Sequence, residues 1–118
     1  MLGVVSIPVF AEQAQPSYTD TNRTKITLSF SSGKATCSGT ITGKSGTTSI
    51  TNCTVTLTAS NGDVVASWNN LSSTGTILAF TKTTSDITKG ETYTLSVTAT
   101  VNRNGSSEYV SDSVTKTY

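Results

Sequence analysis

The stretch Ile87–Val101 reads ITKGETYTLSVTATV. It opens on a turn at Gly90. From there Tyr93, Leu95, Val97, Ala99 and Val101 alternate strictly with Thr94, Ser96, Thr98 and Thr100. A period of two over that length predicts a strand with one buried face and one wet, hydroxyl-bearing face. Strands of this kind belong to antiparallel sheets packed on one side only. The chain is therefore expected to be all-β, an antiparallel sandwich.

The same alternation recurs on both sides of this run at the spacing of a sandwich. A first strand is expected over 25–31, with Ile26, Leu28 and Phe30 inward, and Ser32-Gly33 turns it. A second covers 35–42, with Ala35, Cys37, Gly39 and Ile41 inward. Glycine at an inward position implies a bulge or a large neighbour lying over it, such as Trp68. A flexible loop is expected over 43–49, then a third strand over 51–59 with Cys53, Val55, Leu57 and Ala59 inward. Asn61-Gly62 predicts a two-residue hairpin, because both positions tolerate positive φ. The fourth strand, 64–68, places Val64, Ala66 and Trp68 on one face, and 69–75 reads as a polar loop. The fifth, 76–82, turns Leu78 and Phe80 inward. After the corner 83–90 and the sixth strand, 91–102, Asn104-Gly105 makes another hairpin into a last strand, 107–118. There Val110 and Val114 share a face with Asp112, which demands a bulge or an edge position.

Seven strands in one short domain is immunoglobulin-like counting. The run Ile87…Gly90…Tyr93-x-Leu95-x-Val97-x-Ala99 resembles the corner and sixth strand of fibronectin type III and related bacterial immunoglobulin-like domains. The resemblance implies a seven-stranded antiparallel immunoglobulin-like β-sandwich. It also implies that Tyr93 returns its hydroxyl to the backbone of the corner at Gly90, the structural tyrosine corner. The chain departs from that pattern in having Trp68 on the fourth strand and no Trp on the second.

Composition sets the function classes aside. Charged residues are only 13% and the net charge is +1. The basic residues are scattered, which argues against nucleic acid and anionic membranes, both of which need a basic patch. The solvent face is carried instead by 25 Thr and 18 Ser, residues whose hydroxyls suit an exposed strand. There is no His, so neither Ser-His-Asp nor Cys-His catalysis is available. A carboxylate pair such as Asp86 with Asp112 is the remaining glycosidase-type geometry. No Gly-rich phosphate loop and no dense acid cluster for a metal occur. The chain reads as a non-enzyme with no cofactor and no metal site. Lys25 with Asn102 or Asn104 would be the candidates for a Lys–Asn isopeptide bond, but Lys25 has outward parity.

Residues 1–11, MLGVVSIPVFA, form an apolar run too short to span a bilayer. They read as the hydrophobic region of a truncated signal peptide. A flexible polar lead is expected over 12–24, with the sandwich over 25–118. Export makes one structural disulfide, Cys37 to Cys53, the expected use of the two cysteines. Such a loop would contribute about 3 kcal/mol through the unfolded state. With no His and no third Cys, a zinc set is ruled out.

The expected function is a secreted, non-catalytic module that binds another extracellular protein, with no nucleic acid and no membrane insertion. By analogy with secreted antibody-binding superantigens, host immunoglobulin is a ligand to test. A carbohydrate-binding module and a structural pilus or surface subunit are the alternatives. Candidate binding residues are the aromatics Tyr109, Tyr118 and Trp68, followed by Tyr18, because exposed aromatics mark recognition patches.

Overall fold

The computed structural model describes residues 18–118. Seven strands run β1 Thr21–Ser31, β2 Lys34–Gly43, β3 Thr47–Ala59, β4 Val64–Thr74, β5 Ile77–Thr84, β6 Thr92–Arg103 and β7 Ser106–Thr117. All pairings are antiparallel. They form a three-stranded sheet, β1-β2-β5, and a four-stranded sheet, β4-β3-β6-β7. No helix occurs among the described residues. The molecule is an all-β sandwich. The reading of residues 1–11 as a signal segment, and of 12–17 as lead, lies outside the described residues.

The β6 alternation carries the core. Tyr93, Leu95, Val97, Ala99 and Val101 are all buried, and the Thr and Ser between them are not. Opposite them Leu28, Ala35, Cys37, Ile41, Leu78 and Phe80 come from the three-stranded sheet. Ile50, Cys53, Val55 and Leu57 of β3 and Val110 of β7 complete the cluster. Burying side chains of this size is worth about 1.5–3 kcal/mol each, so the interior decides the fold while the hydroxyl faces only permit it.

The strands are longer than periodicity alone implies. The expected loop 43–49 shrinks to a turn at Lys44–Gly46, and β3 begins at Thr47. The expected loop 69–75 is mostly strand, with β4 continuing to Thr74. Bulges hid both extensions. In β3 an extra residue beside Asn52, which sits at φ 53°, separates buried Ile50 from buried Cys53 by three positions rather than two. In β4 the same happens at Asn70, φ 60°. A bulge adds one residue and flips parity, so a strict period-two reading ends there.

A second β4 bulge lies between the Thr58–Val64 and Leu57–Ala66 pairs. It turns Val64 outward, 61% exposed, instead of inward as expected; Val65 packs on the core in its place. The hairpins also divide. Ser32-Gly33 and Asn104-Gly105 have positive φ at both positions, as a two-residue turn requires. At Asn61-Gly62 only Gly62 has positive φ. The connection is a longer turn, closed by Gly62 N–H to Ala59 C=O at 2.9 Å together with Ala59 N–H to Asp63 C=O at 2.8 Å.

Gly39 is inward and lies between Ile26 and Phe80 across the sheet. A Cβ there would meet Phe80 Cζ at 2.6 Å and Ile26 Cγ2 at 2.8 Å. The large neighbour is Phe80, not Trp68. Asp112 is accommodated because β7 is an edge strand. There its carboxylate accepts hydrogen bonds from Thr24 Oγ1 on β1, 3.2 Å, and from the Ser113 N–H, 2.8 Å.

Candidate functional site

The aromatic candidates part company in three dimensions. Tyr118 is stacked on Phe30, with ring centroids 4.9 Å apart and planes 13° apart. Its hydroxyl accepts the Gly33 N–H at 2.7 Å. Its backbone bonds to Gly90 and Glu91. It clamps the chain end onto the β1–β2 turn and the β5–β6 corner. Tyr93, 5.9 Å from Phe30, accepts the Thr88 N–H at 2.7 Å, so the corner's amide is satisfied by the strand that follows it. Trp68 lies inward on β4 opposite Val55, half-buried against the core. Tyr18 donates to the Ser111 C=O and accepts the Ser111 N–H, both at 3.3 Å. Tyr109 alone of these stands free of such ties, 66% exposed and opposite Thr100.

Tyr109 stands on an unusual surface. Registers across β3, β6 and β7 align the rows Thr51–Thr100–Tyr109, Thr54–Thr98–Ser111, Thr56–Ser96–Ser113 and Thr58–Thr94–Thr115. Thr94 and Thr115 hydrogen-bond at 2.9 Å, and Thr92 and Thr117 at 2.7 Å. Asn102 donates to Ser49 and Thr51, both at 3.0 Å. No charged side chain occupies an outward position in these rows. The charges of β7, Glu108, Asp112 and Lys116, all have the inward parity of Val110, and Glu108 and Asp112 sit along the seam with β1 and the segment before it.

That seam holds what the sequence reading missed. The expected flexible lead is instead docked from Tyr18 onward. The Glu108 carboxylate accepts the N–H groups of Thr19, 2.8 Å, and Asp20, 3.0 Å. Desolvation is the largest single influence on this carboxyl and raises it, but the hydrogen bonds from Thr19, Thr21 and Asp20 together outweigh it and hold the group below the usual glutamate range. Asp20 is buried; it pairs with Arg103 at 3.1 Å and accepts from Ser106 at 3.0 Å. Arg103 also donates to the Ser45 C=O at 2.8 Å. Asp20, Arg103 and Glu108 share no local period, so nothing in the sequence pattern exposes this cluster.

Cys37 and Cys53 are both free thiols and fully buried. The expected disulfide between them is not made. Nor are their strands sheet neighbours: β2 belongs to the three-stranded sheet and β3 to the other, so the two thiols enter the core from opposite sides. Burial pushes each thiol up to about 11 from 9.0, which leaves both protonated and unreactive at neutral pH.

The outer face of the three-stranded sheet differs in kind. Its rows are Arg23–Thr42–Ile77, Lys25–Thr40–Ala79 and Thr27–Ser38–Thr81. A depression of about 260 Å³ is lined by Lys25, Thr27, Ser38, Thr40, Ala79 and Thr81, with Gly39 and Phe80 contributing from between the rows. A second, of about 210 Å³, adjoins it and shares Lys25 and Thr40 with Arg23 and Thr42.

The sheet edges are guarded. β4 carries its two bulges, and β5 places Lys82 opposite Cys37, at inward parity. Inward charges and bulges are the devices that stop edge pairing. The edges of β1 and β7 face each other through Thr24 and Asp112.

The remaining chemical candidates are not assembled. Asp86 lies in the β5–β6 corner, its N–H held by Thr84, whereas Asp112 sits in the middle of β7. Lys25 and Asn102 belong to opposite outer faces. No group of three or more metal-ligating side chains occurs among the described residues. No protein-family model matches the chain, and no curated protein matches it.

Proposed function

We propose that the chain is a secreted, immunoglobulin-like module that acts by binding another extracellular protein rather than by catalysis. Three features support the immunoglobulin-like assignment. The strand order differs from the constant-domain arrangement only in that the fourth strand joins the other sheet. The Tyr93–Thr88 bond has the form of a tyrosine corner. The core alternation of β6 sits where that fold needs it. Fold alone carries no function, so the binding reading stands on the surface.

The observation that carries it is Tyr109, a large amphipathic ring 66% exposed on a face without charges. A face of this kind loses less to desolvation than a charged one when covered, and an aromatic anchor supplies the contact energy. The guarded edges favour a partner that docks on a face over one that adds a strand, which weighs against a strand-exchanging pilus subunit.

The test is binding of the full chain to purified immunoglobulins and to fractionated serum and mucosal proteins, with Tyr109→Ala in parallel. Saturable binding to one identified protein, weakened tenfold or more in Tyr109→Ala, is the expected result, since an interface hot spot is worth about 2 kcal/mol or more. Binding that ignores Tyr109, or none at all, overturns the proposal.

A further inference from the structure

We propose that the outer face of the three-stranded sheet is a second, separate binding site, and that its ligand is an acidic glycan. The inference does not rest on the protein-binding reading: Tyr109 and this site occupy opposite outer faces of the sandwich.

The basic residues, scattered in sequence, are gathered by the sheet. Arg23 and Lys25 are two apart on β1 and so project from the same face. Lys34 has the outward parity of β2 as well. None of the outward positions of β1, β2 and β5 is acidic. The one ion pair among the described residues is Arg103 with Asp20, elsewhere in the molecule, so Arg23 and Lys25 face solvent without a carboxylate partner. Cations left unpaired over a concave surface are available to an anion from outside.

The two adjoining depressions give that charge a shape. Lys25 stands at their shared rim, with Arg23 beyond it. Small side chains at Ser38 and Ala79 leave the space, and Phe80, admitted beneath the sheet because Gly39 has no Cβ, helps to form its base. Thr27, Thr40, Thr42 and Thr81 add hydroxyls that donate and accept. Ala79 and half-exposed Ile77 add apolar surface on the β5 side.

A sugar ring needs this combination: hydroxyl partners around its rim, apolar contact for its C–H face, and cations for a carboxylate or sulfate substituent. An acidic peptide fits less well. Extended peptides bind by adding to a sheet edge, whereas β2, at the centre of this face, is hydrogen-bonded on both sides.

The experiment measures binding of the full chain to heparin, a sulfated uronate-bearing glycan, against polyglutamate and neutral dextran. The variants are Arg23→Gln/Lys25→Gln and Ala79→Leu. The first removes charge; the second fills the depression and keeps the charge. All three positions are exposed, and unchanged thermal unfolding verifies the fold of each variant. Heparin binding is expected, falling as salt rises, with no binding to dextran. Arg23→Gln/Lys25→Gln should weaken it about tenfold or more, the worth of a lost hydrogen bond to a charged group. Ala79→Leu should weaken heparin binding several-fold, and Tyr109→Ala should leave it unchanged. No heparin binding overturns the proposal. So does heparin binding that Ala79→Leu leaves intact and polyglutamate matches, because charge alone would then explain it.

Discussion

The two outer faces of this sandwich are built from the same alternating pattern and end in opposite chemistry. The four-stranded sheet presents ordered rows of Thr and Ser with Tyr109 at one end and no charge. The three-stranded sheet presents Arg23 and Lys25 over a depression. Beneath them the sheets also differ. The four-stranded sheet buries side chains of normal size along β6, while the three-stranded sheet needs a missing side chain at Gly39 to admit Phe80. A wet face is indifferent to which polar residue it carries, so its chemistry is free to diverge. A buried face is held by volume and diverges only where a neighbour compensates.

The largest effect expected from breaking this comparison lies between the sheets, at the thiols. Each has a folded value near 11 against 9.0 in the unfolded chain. A raised value means that the stability is whole below pH 9 and drains as pH rises through about 11. Chemical denaturation from pH 8 to 11 should therefore show a falling midpoint, and Cys37→Ala/Cys53→Ala should flatten the fall. Neither thiol should react with an aromatic disulfide reagent until denaturant is added. A chain that yields no thiols even when unfolded would instead carry a Cys37–Cys53 bond linking the two sheets.

Next comes the asymmetry of the two interiors. Gly39→Val drives a branched side chain into Phe80 and Ile26 and should cost about 1–3 kcal/mol, seen as a lower midpoint in denaturant. Ala99→Gly on β6 removes a buried methyl without a clash and should cost about 1 kcal/mol. Equal losses would mean that the three-stranded sheet relaxes more freely than its packing indicates.

A smaller effect is expected at the corner. Tyr93→Phe leaves the ring in the core and orphans the Thr88 N–H, a loss of about 1 kcal/mol. Amide exchange at Thr88 should accelerate more than exchange in β6 itself.

The smallest effect concerns the docked lead. The Glu108 carboxyl is held below its usual range, so its contribution is present above the unfolded value, near pH 4.5, and is lost as pH falls through the folded one. Amide protection at Thr19 and Asp20 should disappear in that window, ahead of the core. Glu108→Gln should release the same two amides at neutral pH. Protection unchanged in Glu108→Gln would mean that Asp20 and Arg103 hold the lead without it.

What was legible in the sequence was the part ruled by period two. The run from Tyr93 to Val101 announced β6, and Ile41, Leu28, Leu78 and Val110 were all readable as core, because parity alone separates a buried side from a wet one. The strand count and the outward hydroxyls followed from the same rule. The bulges at Asn52 and Asn70 were not legible, since a one-residue insertion looks like the end of a strand. Tyr118 read as an exposed aromatic because the distant residues that hold it, Phe30 and Gly33, share no local pattern with it.

The sequence by itself determined that this chain is all-β, most of the residues that line its core, and that it lacks histidine chemistry. Tertiary structure alone decided that the cysteines enter from opposite sheets, that the lead from Tyr18 to Asp20 docks on β7, and that Lys25 shares one depression with Ala79 and the adjoining one with Arg23. The division has one physical cause. Burial depends on each residue's own side chain and local parity, whereas a site depends on register between strands distant in sequence, and register is set only when the sheets close on their common core.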